Sequence, residues 1–210
     1  GTAVDVNTPP VGVSRAAQAR LWLVRHATPL IAPGTCYGHL DVPADTAATQ
    51  AAATHLAAVL PDGVPVMHST LQRCEQLALD LKALRPDLTV LADPRLREMN
   101  FGAWEGQRWD AIGKAPIDAW TTDFAHSAPG GGECLAAMLQ RVSAALLAAQ
   151  QQSAAHSGSD VVWITHAGVA RCVRWLQRCT PGQLPQADQW PPSAPSCGAW
   201  EITGLWAALA

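Results

Sequence analysis

Two short runs, Leu21-Trp-Leu-Val24 and Val161-Val-Trp-Ile164, are apolar at every position. A strand half exposed to water alternates apolar and polar side chains, so an uninterrupted run of this length predicts a strand buried on both faces. Val64–Met67 and Leu88–Leu91 read as two further strands and Ala199–Thr203 as a last one. Helical patterns fall between them. Asp45 is placed to cap a helix running to about Leu60, with Leu56, Val59 and Leu60 as its apolar stripe. Leu71–Leu84 predicts a helix stopped before Pro86, Glu133–Gln152 a long helix, and the stretch after His166 a helix through Trp175. Pro29, Pro33, Gly34, Gly38 and Pro43 mark a long loop, and Pro129-Gly-Gly-Gly132 a flexible break. Short helices are expected in Ala103–Ala125, and irregular chain in Leu184–Pro195. Strands alternating with helices predict an α/β fold of three layers, a mostly parallel central sheet flanked by helices.

Composition narrows the function. The 210 residues suffice for one well-buried domain, expected over 19–210, with residues 1–18 a disordered segment lacking the apolar run of a signal peptide. A net charge of −3 gives no bulk attraction to nucleic acid or to an anionic membrane. No stretch approaches the ~20 apolar residues a membrane span needs. The expected partner is a small molecule and the expected compartment the cytoplasm. Six scattered cysteines form no C-x-x-C pair, which argues against a zinc site and a disulfide framework. No H-x-H or H-E-x-x-H spacing supports a metal hydrolase either. An anion site, if present, must be a local cluster of cations.

Such a cluster is visible at the strand ends. The first apolar run leads into Arg25-His26 and the run at 161–164 into Thr165-His166. In open α/β sheets, ligands bind in the crevice outside the carboxyl ends of the strands. A third strand end supplies His68-Ser69-Thr70-Leu71-Gln72-Arg73, which sets Arg73 in the first turn of a helix, where the dipole and a planar donor fork both suit phosphate. His68 reads as a strand-edge residue. Leu96–Gly106 brings two carboxylates, Glu98 and Glu105, in an aromatic loop; either can protonate a leaving oxygen, and the local pattern does not choose between them.

Taken in order, Leu23-Val-Arg-His26, Ser69-Thr-Leu-Gln-Arg73, Leu96-Arg-Glu98 with Phe101-Gly102 and Trp104-Glu-Gly106, Gly131-Gly-Glu133 and Thr165-His-Ala-Gly168 resemble the histidine phosphatase (phosphoglycerate mutase-like) superfamily over about residues 20–176. The resemblance implies that His26 is the phosphorylated nucleophile, that Arg25, Arg73 and His166 hold the phosphate, and that Glu98, rather than Glu105, is the proton donor. It implies no metal and no cofactor. The pattern departs in places: Ala27, Thr28 and Pro29 follow His26, and Ala32 stands where many members have Asn. Thr28 is therefore a candidate replacement phosphate ligand. Cys36–Pro43 looks most like the alpha-ribazole phosphatase branch of cobalamin biosynthesis. Tyr37 and Trp104 are expected in the substrate pocket. The reading is a metal-independent phosphomonoesterase for a small phosphorylated metabolite, alpha-ribazole phosphate being one candidate. The alternatives are a phosphoglycerate mutase-type phosphoryl transferase and an inactive phosphate-binding interaction module.

Overall fold

In the computed structural model, which describes residues 18–206, the two uninterrupted apolar runs pair in parallel near the middle of a five-stranded sheet. The strands are β1 (Arg20–Arg25), β2 (Pro65–His68), β3 (Thr89–Ala92), β4 (Val161–Thr165) and β5 (Trp200–Gly204), in the spatial order β3-β2-β4-β1-β5. The pairs β1·β4, β2·β4 and β2·β3 are parallel, and only β5 runs antiparallel, along β1. All but Gln18 of the segment 1–18, expected to be disordered, lies outside the described residues.

The helices are α1 (Thr46–Ala57), α2 (Gln72–Leu84), α3 (Trp109–Ile112), α4 (Lys114–Thr122), α5 (Leu135–Ala155) and α6 (Ala167–Arg178). Asp45 caps α1 as expected, its carboxylate accepting the Ala48 N–H at 2.8 Å. Alternation along the central strands explains the unbroken apolar runs. Leu21, Leu23, Val161 and Trp163 pack with α5 and α6 on one face, while Trp22, Val24, Val162 and Ile164 pack with α1 and α2 on the other. Each strand thus serves two cores. Every fully buried Leu or Val contributes roughly 1.5–3 kcal/mol, and a polar residue on either face would forfeit that burial. Among the described residues no helix is long and apolar enough to cross a membrane.

Pro129-Gly-Gly-Gly132, expected to be a flexible break, is instead tightly locked. It forms one 3-10 turn pressed against Phe101–Trp104, and a Cβ on Gly130 would lie 2.0 Å from the Phe101 carbonyl oxygen. Gly130 also has φ of +64°, a conformation other residues adopt at a cost. These glycines permit close approach of two backbones rather than motion.

Candidate active site

The chain leaves β1 for α1 on one face and β4 for α6 on the other, so a crevice opens where these neighbouring strands end. Register then fixes what stands there. Arg25 pairs with Thr165, and the His26 N–H reaches the Thr165 carbonyl at 3.3 Å. The next residues on each strand, His26 and His166, have ring centroids 5.3 Å apart. Ser69, at the end of β2, is tied to the same edge by its N–H to the Ile164 carbonyl at 2.9 Å.

His26 Nδ1 lies 2.7 Å from the Ala27 carbonyl, which can only accept, so Nδ1 carries the proton and Nε2 a free lone pair. Burial, then the charges of Arg73 and Arg25, lower its pKa to about 3, against the opposing pull of the Ala27 carbonyl. His166 is wholly buried, and burial, with His26 and Arg73 adding, holds its pKa well below the usual histidine value. Both rings are neutral at pH 7. His166 Nε2 meets Ser69 Oγ at 2.8 Å, and Nδ1 is buried with no protein partner. Ala27 is fully buried and has no positive φ, so the departure from the family pattern there causes no strain.

Arg73 is fully buried in the first turn of α2, with its guanidinium donating to the Leu40 and Gly38 carbonyls at 2.8 and 2.6 Å and lying 5.2 Å from the centre of the Tyr37 ring. Arg25 donates to the Pro195 carbonyl at 3.1 Å. Neither forms an ion pair among the described residues, and the Nε of each is buried without a partner. Two cations fixed by neutral carbonyls, with donors unspent, suit an anion. The N-terminus of α2 itself is not open to one: Asp41 accepts the Gln72 N–H at 2.7 Å.

The two carboxylates separate cleanly. Glu105 is consumed by the backbone, accepting from the amides of Gly38, His39, Leu40 and Phe101, and so clamps the loop that holds Arg73. Glu98 lines the cavity and accepts only two amides, Met99 on Oε1 and Gly168 on Oε2, each at 3.0 Å. Behind it, Arg141 grips Glu133 with two bonds and donates to the carbonyls of Arg95 and Arg97, fixing the backbone that carries Glu98. A Cβ at Gly168 would lie 2.1 Å from Glu98 Oε1, so the glycine two residues after the second histidine makes room for this carboxylate.

The cavity measures about 450 Å³. Arg25, His26, Arg73, Glu98 and Tyr37 line it; His166 lies beneath and adds no surface. Two expectations are corrected. Thr28 is exposed and off the cavity, because the chain turns away after Ala27: Pro29 bridges Ala44, and the Thr28 carbonyl accepts the Asp45 N–H. Trp104 stands behind the wall, its ring edge-on to Trp109 and Trp120, which do line the cavity. His68 bonds the Ser69 carbonyl and faces another surface. Sequence reasoning missed Arg171 and Trp190 in the lining. Arg171 sits one turn beyond Gly168 on α6, a periodicity that was available; Trp190 lies in chain without a regular pattern. Cys74 is 3.5 Å from His166 Nε2, but burial pushes its thiol up to about 12, so it offers no thiolate. Among the described residues no group of three or more His, Cys, Asp or Glu is arranged to hold a metal ion.

The sequence pattern of the histidine phosphatase superfamily (branch 1) matches residues 21–194. Phosphoglycerate mutase-like protein 4 of Arabidopsis thaliana is 32% identical over 161 residues, covering 73% of this chain and 68% of that protein. A metal-independent phosphoserine phosphatase of the same plant is 29% identical over 131 residues, covering 60% of this chain and 54% of its own length. This chain therefore spans about half of that second relative. Among solved structures, a mycobacterial glucosyl-3-phosphoglycerate phosphatase superposes with a TM-score of 0.71 at 26% identity, covering 88% of this chain and 89% of that one.

Proposed function

Because the chain belongs to the histidine phosphatase superfamily and is a phosphatase, we propose that it hydrolyses a small phosphate monoester through a phosphohistidine on His26, without a metal. The observation that carries this reading is the His26 ring. It is held neutral by burial and by two arginines, with its one proton committed to the Ala27 carbonyl and Nε2 free on the cavity side.

The chemistry runs in two displacements. Nε2 attacks phosphorus, the P–O ester bond breaks, and Glu98 gives its proton to the departing oxygen. Water then attacks the phosphohistidine and returns a proton to Glu98, while the P–N electron pair goes back to Nε2. Arg25 and Arg73 hold the nonbridging oxygens, and their charge stands where a divalent cation otherwise would, while the neutral His166, just beneath the cavity, has its partnerless Nδ1 as a further donor. Glu98 suits the acid role over Glu105 because each of its oxygens spends one lone pair on an amide and keeps another, whereas Glu105 is fully engaged with the loop. Alpha-ribazole phosphate remains one candidate substrate, supported by the Cys36–Pro43 loop. The names of the relatives point to other esters, phosphoserine and glucosyl-3-phosphoglycerate.

The test is His26→Ala, with turnover expected to fall at least ~10³-fold in the presence of EDTA, as for loss of a nucleophile. Brief reaction of the wild-type chain with ³²P-labelled ester followed by quenching should leave an acid-labile label on His26. Label stable to acid, or carried by Ser69 or Cys74, overturns the assignment. Release of inorganic phosphate, rather than a rearranged ester, separates hydrolysis from mutase-type transfer.

A further inference from the structure

The arginine-lined end of the cavity is enough for a phosphate, yet the cavity's 450 Å³ lies within the size range of sites that enclose whole organic ligands. The remainder is walled by rings. The chain has nine tryptophans, two phenylalanines and one tyrosine. Six of those twelve line this cavity: Tyr37, Phe101, Trp109, Trp120, Phe124 and Trp190. Trp163, inside the core, is 1% exposed, whereas Phe101, Trp120, Phe124 and Trp190 only back onto the core from the cavity side. All six here are only half-buried, so each keeps surface that no protein atom covers.

Five of them pack into one surface, and Tyr37 stands apart against Arg73. Phe101 meets Trp109 and Trp120 edge-on at 5.7 and 5.9 Å, Trp120 meets Phe124 at 5.6 Å, and Phe124 meets Trp190 at 5.9 Å. An arc of tilted rings offers both faces and edges to a flat guest, the arrangements aromatic pairs prefer. An alcohol with only hydroxyls and a carboxylate would leave that surface dry and unmatched, and would lose its own hydration on entering.

We infer that the leaving alcohol of the substrate carries a planar aromatic group, which lies against this arc while the phosphate sits between Arg25 and Arg73. The inference rests on the reading of the site as a phosphomonoesterase and names the substrate class for it. Arg171, also in the lining and without an ion-pair or hydrogen-bond partner among the described residues, marks the rival chemistry, a leaving group with its own carboxylate.

The experiment compares primary alkyl esters of similar leaving oxygen: ethyl phosphate, 2-cyclohexylethyl phosphate, 2-(2-naphthyl)ethyl phosphate and 3-phosphoglycerate, with p-nitrophenyl phosphate as the activity control. The naphthyl ester should exceed ethyl phosphate in kcat/KM on the order of 10²-fold, from buried apolar area. It should exceed the cyclohexyl ester by roughly 2- to 10-fold, from ring geometry. Trp190→Leu and Trp109→Leu should each lower the naphthyl ester about tenfold more than the ethyl ester. Equal rates across the series, or 3-phosphoglycerate outrunning the naphthyl ester, would overturn the inference while leaving the phosphatase intact. Failure to hydrolyse even p-nitrophenyl phosphate would remove the phosphomonoesterase reading and the inference together.

Discussion

The arginine-and-histidine end of the cavity stands mainly on strand ends, and the aromatic wall stands on loops and short helices from three separate stretches of chain. At the phosphate end, hydrogen-bond register does the positioning: Arg25 opposite Thr165 leaves His26 and His166 side by side, and the Ser69 amide ties the β2 end to β4. Moving one residue would require slipping a strand buried on both faces. On the wall, Tyr37 comes from the loop after β1, Phe101 to Phe124 from the segment after Glu98, and Trp190 from the segment after α6. Their places depend on ring-on-ring contact and on the close backbone approach at Gly130. The difference implies a division of labour: substitutions at the strand ends should change the chemistry, and substitutions on the wall should change which ester is chosen.

The sharpest way to break that division is Gly168→Ala. Gly168 touches no phosphate ligand, but its added Cβ would overlap Glu98 Oε1 and remove an amide donor's correct placement. If Glu98 supplies the proton, alkyl phosphates should lose about 10²–10⁴-fold in kcat, the usual worth of a general acid. p-Nitrophenyl phosphate, whose leaving group departs without a proton, should lose far less in its phenolate burst. Equal losses for the two substrates would mean that the methyl group distorts the whole floor, and the assignment of Glu98 would lose its support.

The buried histidines add a stability test of the same floor. The folded chain keeps both rings neutral, whereas an unfolded histidine takes up a proton below about pH 6.5. The unfolded state then binds more protons, so stability falls as pH drops from 6.5 toward the folded pKa of His26 near 3. Once well below 6.5, each neutral buried ring weakens the folding equilibrium by up to about tenfold per pH unit, so the pair together by up to about 100-fold per pH unit. Urea unfolding between pH 5.8 and 5.0 should show this slope, and His166→Gln should halve it. A flat profile would mean that the rings are protonated in the fold, which is incompatible with a nucleophilic His26.

The same contrast explains what the sequence made legible. The floor could be read because strand periodicity, the following histidines and the Arg73 helix start are local signals, and the superfamily resemblance then assigned their roles. The sheet followed from unbroken apolar runs for the same reason. Local pattern does not place Thr28, whose position depends on Pro29 bridging Ala44, a contact of 15 positions' separation. Sequence does not separate Trp104 from the other aromatics of its segment, since only packing decides which ring of a cluster lines the cavity. The glycines of Pro129–Gly132 suit both motion and close contact, and only the partner backbone distinguishes the two.

The smallest expected effect belongs to Ser69, which touches no part of the cavity. Its Oγ accepts the Leu71 N–H at 3.3 Å and lies 2.8 Å from His166 Nε2. With an N–H already pointing at it, the hydroxyl satisfies its own proton best by donating it to Nε2, which places the His166 proton on Nδ1. Nδ1 is the ring atom that has no partner in the protein, and so the donor left for a phosphate oxygen. Ser69→Ala removes this preference and lets the proton move to Nε2, turning a lone pair toward the phosphate in part of the molecules. One neutral hydrogen bond is worth about 1 kcal/mol, so kcat/KM should fall roughly fivefold to tenfold, with inhibition by free phosphate weakened by a similar factor. A purely structural role for Ser69 would lower stability without touching the tautomer. Nitrogen-15 NMR of the His166 ring decides between them: the wild-type chain should show the proton on Nδ1 and Ser69→Ala a mixture, and a wild-type proton on Nε2 would end this account of Ser69.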